Sequence, residues 1–261
     1  MKIQLKKTIA IVAISLLLAS CSKNDDINSN ISGTGNLKLE FDQIYKGADF
    51  AFDTPYTNSN GETIKVNAAK YIVSNIVLTK ADGSTYTVPK SESYFIIDEA
   101  EEATQLVNLP NIPAANYTKI SFGIGVDQEQ FSQGATGQGD FLATAQDAGM
   151  MWSWAAGYKF VVLEGAYTSI NTTAETQFKV HTGQTSTDYN YTTVTLDLPD
   201  DALVRTTITP QIHLFADLSK LIDGTNTINF DEGATVMGGA KLALVTANIA
   251  NMFIVNHVHN D

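Results

Sequence analysis

Cysteine is nearly absent. The 261 residues contain only Cys21, so no intramolecular disulfide and no paired-cysteine zinc or redox motif can form. Basic residues are also few, 16 Lys and Arg against 28 Asp and Glu, for a net charge of −12. A chain that acidic lacks the clustered positive charge that phosphate binding requires, which excludes nucleic acid as a partner. No apolar run is long enough to span a bilayer. Neither a Gly-x-Ser-x-Gly elbow, a His-Glu-x-x-His helix nor a Gly-Lys-Ser/Thr phosphate loop occurs, so the expectation is a protein that is not an enzyme. Pairs such as Glu101-Glu102 read as solvated face in so acidic a chain. What remains is a hydrophobic fraction of 44%, ample for a large core and too high for disorder.

The N-terminus carries the first positive information. Lys2, Lys6 and Lys7 precede an apolar stretch from Ile9 to Leu18, and Leu18-Ala19-Ser20-Cys21 follows. Residues 1–20 therefore read as an export signal, and small residues before a cysteine resemble the lipobox of bacterial lipoproteins. The resemblance implies cleavage before Cys21 and acylation of its sulfur and new amino group. Loss of three lysines with the leader makes the mature chain more acidic still. Acyl chains, not charge, must then hold it to the membrane, at about 0.8 kcal/mol per buried methylene. Residues 21–36, rich in Ser, Asn and Gly with Asp25-Asp26, read as a flexible acidic tether. The expected location is the cell envelope, anchored to the outer membrane and either periplasmic or surface-exposed.

From residue 37 to 261 a period of two dominates, beginning with Leu37, Leu39 and Phe41 alternating with Lys38, Glu40 and Asp42. A β-branched run at Tyr71–Thr79 and a turn at Asp82-Gly83 leading into Thr85–Val88 predict a hairpin. Further strands are expected at 94–98, 105–109, 117–126, 158–164, 177–181, 191–198 and 208–215. Two helices are expected near the C-terminus, Asp217 to Ile222 and Ala240 to Phe253. The fold class is all-β, mainly an antiparallel sandwich or open barrel, in one monomeric domain. The polar, glycine-rich stretch Gln128–Gly139 is too long for a hairpin connection and reads as a functional loop.

That loop leads into Gly149-Met150-Met151-Trp152-Ser153-Trp154-Ala155-Ala156-Gly157-Tyr158, which holds both tryptophans of the chain. On a strand, Trp152 and Trp154 would share one side and form an aromatic wall. Four histidines are available: His181, His213, His257 and His259. His257-Val258-His259 has the spacing of a chelating pair, and His213 faces opposite to Ile212 and Leu214. Imidazoles with thioethers suit copper better than calcium or magnesium.

Several blocks, in order, carry a family resemblance. They are Tyr71-Ile72-Val73-Ser74-Asn75-Ile76 with Asp82-Gly83, then Ile112-Pro113-Ala114-Ala115-Asn116-Tyr117, then Phe122-Gly123-Ile124-Gly125-Val126-Asp127. The Gly149–Tyr158 block with Phe160 and Glu164-Gly165 follows, and then His181-x-Gly183. Over about residues 37–255 the chain resembles the MbnP-like copper-binding proteins associated with methanobactin operons. The resemblance implies an exported, mostly β protein that binds one copper ion. It also implies a tryptophan oxidised to kynurenine by a partner di-haem enzyme of the peroxidase type. Carried onto this chain, the modified residue is Trp154 or Trp152, with Trp154 preferred, and His181 is the first metal ligand. Where several relatives carry Phe-x-His, this chain has Phe41-Asp42-Gln43. His257 and His259 are then the natural replacements, with Met150 or Met151 as a softer ligand. Asp127 either orients a ligand or is structural. The competing expectation is a surface lipoprotein that binds a glycan or peptide through its aromatic wall, without metal.

Overall fold

The computed structural model describes residues 31–261; the export signal, Cys21 and most of the tether lie outside the described residues. Alternation from the first described strand onward produces two packed layers. In chain order the first strands are β1 (Thr34–Tyr45), β2 (Ala48–Asp49), β3 (Tyr56–Thr57), β4 (Thr63–Lys80) and β5 (Thr85–Thr87). Next come β6 (Tyr94–Asp98), β7 (Leu106–Pro113) and β8 (Ala115–Ile124). Three short helices follow, α1 (Gln128–Phe131), α2 (Gly134–Gly137) and α3 (Phe141–Asp147). Then come β9 (Met151–Ser153), β10 (Gly157–Thr168), β11 (Thr176–Gly183), β12 (Thr192–Val204) and β13 (Pro210–Asp217). The chain ends with α4 (Lys220–Asp223), β14 (Thr235–Val236), α5 (Gly239–Ile249) and β15 (Phe253–Asn260).

The smaller sheet runs β15-β13-β1-β2, with β7 also on β1. The larger runs β12-β8-β4-β10-β11-β14, with β3, β5 and β6 on β4 and β9 on β10. Pairing is antiparallel except β1 with β13 and β11 with β14. The all-β class therefore holds, as a sandwich with short helices. β1 starts at Thr34 and pairs there with Pro113, so the last three residues assigned to the tether are already sheet.

The core lies between the layers. Phe41 of β1 meets Tyr71 of β4, Phe122 of β8 and Phe253 of β15, all edge-on with ring centres 5.8–6.3 Å apart. Each such pair adds about 0.5–1.5 kcal/mol beyond area burial. Phe253 explains a correction to the predicted C-terminal helix. Leu242, Val245 and Ile249 are buried at helical spacing on α5, but Phe253 reaches this aromatic cluster only as the first residue of a strand. The helix thus ends at Ile249, and the eight residues Phe253–Asn260 form β15, paired along β13.

Candidate functional site

The outer face of the larger sheet is covered by the segment that reads as a glycine-rich loop, and its short helices are fastened by Asp127. This carboxylate caps α1 by accepting the Gln130 N–H at 3.0 Å. It also accepts from Asn75 Nδ2 at 2.8 Å, Tyr94 OH at 2.7 Å and Lys90 Nζ at 3.0 Å. Burial opposes its ionisation, but the donated hydrogen bonds outweigh burial and hold the carboxyl down at about 2. Asn75, Tyr94 and Lys90 belong to the scaffold and Gln130 to the cap, so Asp127 ties the cap to the sheet and orients no imidazole. Beneath the cap, Ile72, Ile96, Val126, Ala145, Met150, Tyr158, Phe160 and Val162 form a second apolar cluster, with Met151 partly buried against it. Both methionines expected as soft ligands are packing residues of this cluster, adaptable thioethers filling an irregular gap.

The tryptophans part company. Trp152 lies in β9, whereas Trp154 lies in the turn that joins β9 to β10, so the alternation of a strand does not extend to it. Trp154 packs on Phe131 of α1, ring centres 4.8 Å apart. Trp152 lies against β11, its ring centre 6.3 Å from that of His181. Gly183 permits this approach: a Cβ there would sit 2.8 Å from Trp152 Cζ3 and 2.4 Å from the Tyr158 carbonyl oxygen. The expected shared wall is therefore two separate aromatic contacts. Trp152 also borders an open cleft of about 740 Å³ whose other walls include Ala155, Gln184, Thr185, Met237 and Gly238.

His181 is 3% exposed and faces away from the main core, since Phe178 and Val180 on the same strand fill that core. Its Nε2 lies 2.6 Å from Glu164 Oε1. Burial pushes the imidazole below its usual range, more strongly than Glu164 raises it. The neutral ring donates Nε2–H to the carboxylate, which leaves Nδ1 as an acceptor. That Nδ1 is buried without a partner, as is Gln184 Oε1. A carboxylate fixing one imidazole nitrogen so that the other presents a lone pair is the arrangement of metal-bound histidines. Glu164, Gln184 and Met237 are absent from the sequence-derived site. Glu164 was legible only as part of the Glu164-Gly165 block; its place beside His181 follows from register, since His181 pairs with Val162, which puts Glu164 diagonally across on the same face.

His257 and His259 do not join His181. β15 is an edge strand of the smaller sheet, and Val258 packs against the main core between the two imidazoles, which therefore face outward. His181 faces outward from the opposite layer, and packed sheets lie about 10 Å apart. Around the sheet edge, β11 is four strand spacings from β12, roughly 19 Å. A single ion with bonds of about 2 Å cannot bridge that separation, so the expected convergence of His181, His257 and His259 is corrected to two locations. Gln43, at the position where the family resemblance leads one to expect a histidine, is buried and donates its amide to Tyr71 OH at 2.9 Å. Among the described residues, no three His, Cys, Asp or Glu side chains are arranged to hold an ion as they stand.

No curated protein matches this sequence. Among solved structures, MbnP from Methylosinus trichosporium is similar at a TM-score of 0.46 and 15% identity, covering 79% of this chain and 82% of that one. A profile of the MbnP family matches residues 34–238. That span starts at the first residue of β1 and takes in the larger sheet, the smaller sheet except β15, the cap, Trp152 and His181, which makes the chain a member of the MbnP family.

Proposed function

We propose that this chain is an exported, lipid-anchored copper-binding protein whose site is built on His181 and Trp152. The observation that carries the reading is the orphaned Nδ1 of a buried neutral imidazole, oriented by Glu164 and lying beside Trp152. The available donors fit copper. Imidazole nitrogen suits it, and Met237, on the wall of the cleft that Trp152 borders, offers a thioether that favours the cuprous state. An ion held there is cargo, and the residues that would hold it are His181 and the modified Trp152, with Gln184 and Met237 within the cleft lining.

An intact indole N–H is a donor and a poor ligand, so modification of Trp152 belongs to the proposal. Two hydrogen peroxide molecules, used by a partner di-haem enzyme, deliver one oxygen atom each to indole C2 and C3 and leave as water. The C2–C3 bond breaks in that oxidation. One further water then releases C2 as formate, leaving the aryl amine of kynurenine as a new nitrogen donor. Trp152 is preferred over Trp154 because it is the indole beside His181. Cys21 carries the acyl chains, in line with the lipobox-like sequence before it.

Metal content and peptide mapping of protein taken from its own host test this reading. The expected result is one copper per chain and a kynurenine fragment mass at Trp152. Native protein with both indoles intact and no copper would overturn it. A second reading has its own support, because a partly exposed Trp152 beside Gln184, Thr185, Ser186 and Thr187 suits sugar stacking. Trp152-dependent glycan binding that a chelator leaves unchanged would favour it.

A further inference from the structure

We infer that the outer face of the smaller sheet carries a second, independent metal site, in which His257 and His259 chelate a late first-row divalent cation with His213 as third imidazole. The site follows from strand register. β13 and β15 are antiparallel, with His213 directly opposite His257 and Gln211 opposite His259. A bulge at this point places an extra residue, Asn256, between Val255 and His257. Bulges raise local twist and re-aim side chains. Here the rings of His213 and His257 come within 4.7 Å, and those of His257 and His259 within 4.4 Å, each pair nearly perpendicular.

The nitrogens are pointed at one another. His257 Nε2 lies 2.7 Å from His259 Nε2, and Asn256 Nδ2 lies 3.0 Å from His257 Nδ1, which fixes the ring with Nε2 inward. Two imidazole nitrogens bound to one zinc-like ion are about 3 Å apart, so a slight opening of the pair exchanges the shared proton for a cation. His213 Nε2 lies 3.2 Å from Asp42 Oδ2. With its Nε2–H donated to that carboxylate, Nδ1 keeps the lone pair that would serve as third ligand. Glu40 and Asp42 stand on the same face of the neighbouring strand and offset the charge of a divalent ion. Imidazole selects copper, nickel or zinc over magnesium or calcium. His257 and His259 lie beyond the residues matched to the family profile, so this site stands or falls apart from the His181 reading.

Calorimetric titration of the full mature chain with Cu²⁺ and Zn²⁺ tests the assignment, run in a His181→Ala background so that the His181 imidazole cannot contribute. One equivalent should still bind. His257→Gln with His259→Gln should abolish that binding, and His213→Gln should weaken it at least tenfold. Undiminished affinity in the double variant would overturn the proposal. A measurement on the unmutated chain guards against variants that fail to fold. Zn²⁺ should shift the imidazole resonances of His213, His257 and His259 together; shifts confined to other residues, or none, would show a hydrogen-bonded pair only.

Discussion

The two outer faces of this sandwich treat histidine in opposite ways. On the larger sheet a polypeptide cap covers the outer face, and burial beside Trp152 keeps His181 neutral, singly partnered and left with a buried lone pair. On the smaller sheet, among the described residues, no such cap lies over His213, His257 and His259, which satisfy one another and Asp42 at the surface. The difference comes from what covers the sheet rather than from the strands themselves. The buried imidazole is set by desolvation and by one fixed partner, whereas the exposed cluster can exchange its hydrogen bonds with solvent.

Removing what the two faces share should produce the largest effect. Phe41→Ala deletes the ring that ties β1 to β4, β8 and β15, and a loss of about 3–5 kcal/mol is expected in urea denaturation. A loss of less than about 1 kcal/mol would mean that each layer is held by contacts of its own. His181→Ala should weaken copper binding by host-matured protein about a hundredfold, roughly 3 kcal/mol, while the denaturation midpoint stays nearly constant. Parallel loss of fold and metal would mark His181 as a packing residue.

Asp127→Ala isolates the cap. It leaves Asn75, Tyr94 and the end of α1 without their acceptor, at a cost of about 2 kcal/mol. Amide exchange should accelerate over residues 128–148 and remain slow in β13 and β15. The same link is pH-dependent. The carboxyl titrates at about 2 when folded and at about 3.9 when unfolded. Its stabilisation is therefore complete above about pH 4 and is lost as the pH falls toward 2. Acid should open the capped face first; exchange that accelerates uniformly across both sheets would contradict this.

The smallest effect is expected at Glu99. Burial, with Asp42 and then Asp98 nearby, raises its carboxyl to about 7. The folded state thus holds a proton that the unfolded chain releases near 4.3, and stability falls as the pH rises from about 4 to 7. Glu99→Gln should remove that slope and stabilise the protein at pH 8 by about 1 kcal/mol, partial exposure reducing the figure. An unchanged pH–stability curve would refute this.

Much of the fold was legible because alternation is a local property. The expected strands at 71–79, 94–98, 117–126 and 177–181 fall on β4, β6, β8 and β11, and His213 faces away from Ile212 and Leu214 as a period of two requires. The cap was not legible. Its helices are a turn or two long, too short to show a period, and its few apolar residues, Phe131, Phe141, Leu142 and Ala145, gain meaning only against the sheet they cover. The assignment of Met252 and Phe253 to a helix failed because either secondary structure can bury two apolar residues, and the aromatic cluster around Phe41 decided between them.

The sequence by itself determined an acidic, cysteine-poor β protein of this family, with both tryptophans in one short segment and His213 turned away from its apolar neighbours. Those properties depend on composition and on neighbours a few residues apart. Tertiary structure alone decided which imidazoles meet. His213 reaches His257 across 44 residues through the register of β13 with β15, and Trp152 rather than Trp154 reaches His181 because a tight turn breaks the alternation between the two indoles. Register and turn geometry are set by the burial of whole layers, so no local spacing rule could have fixed either meeting.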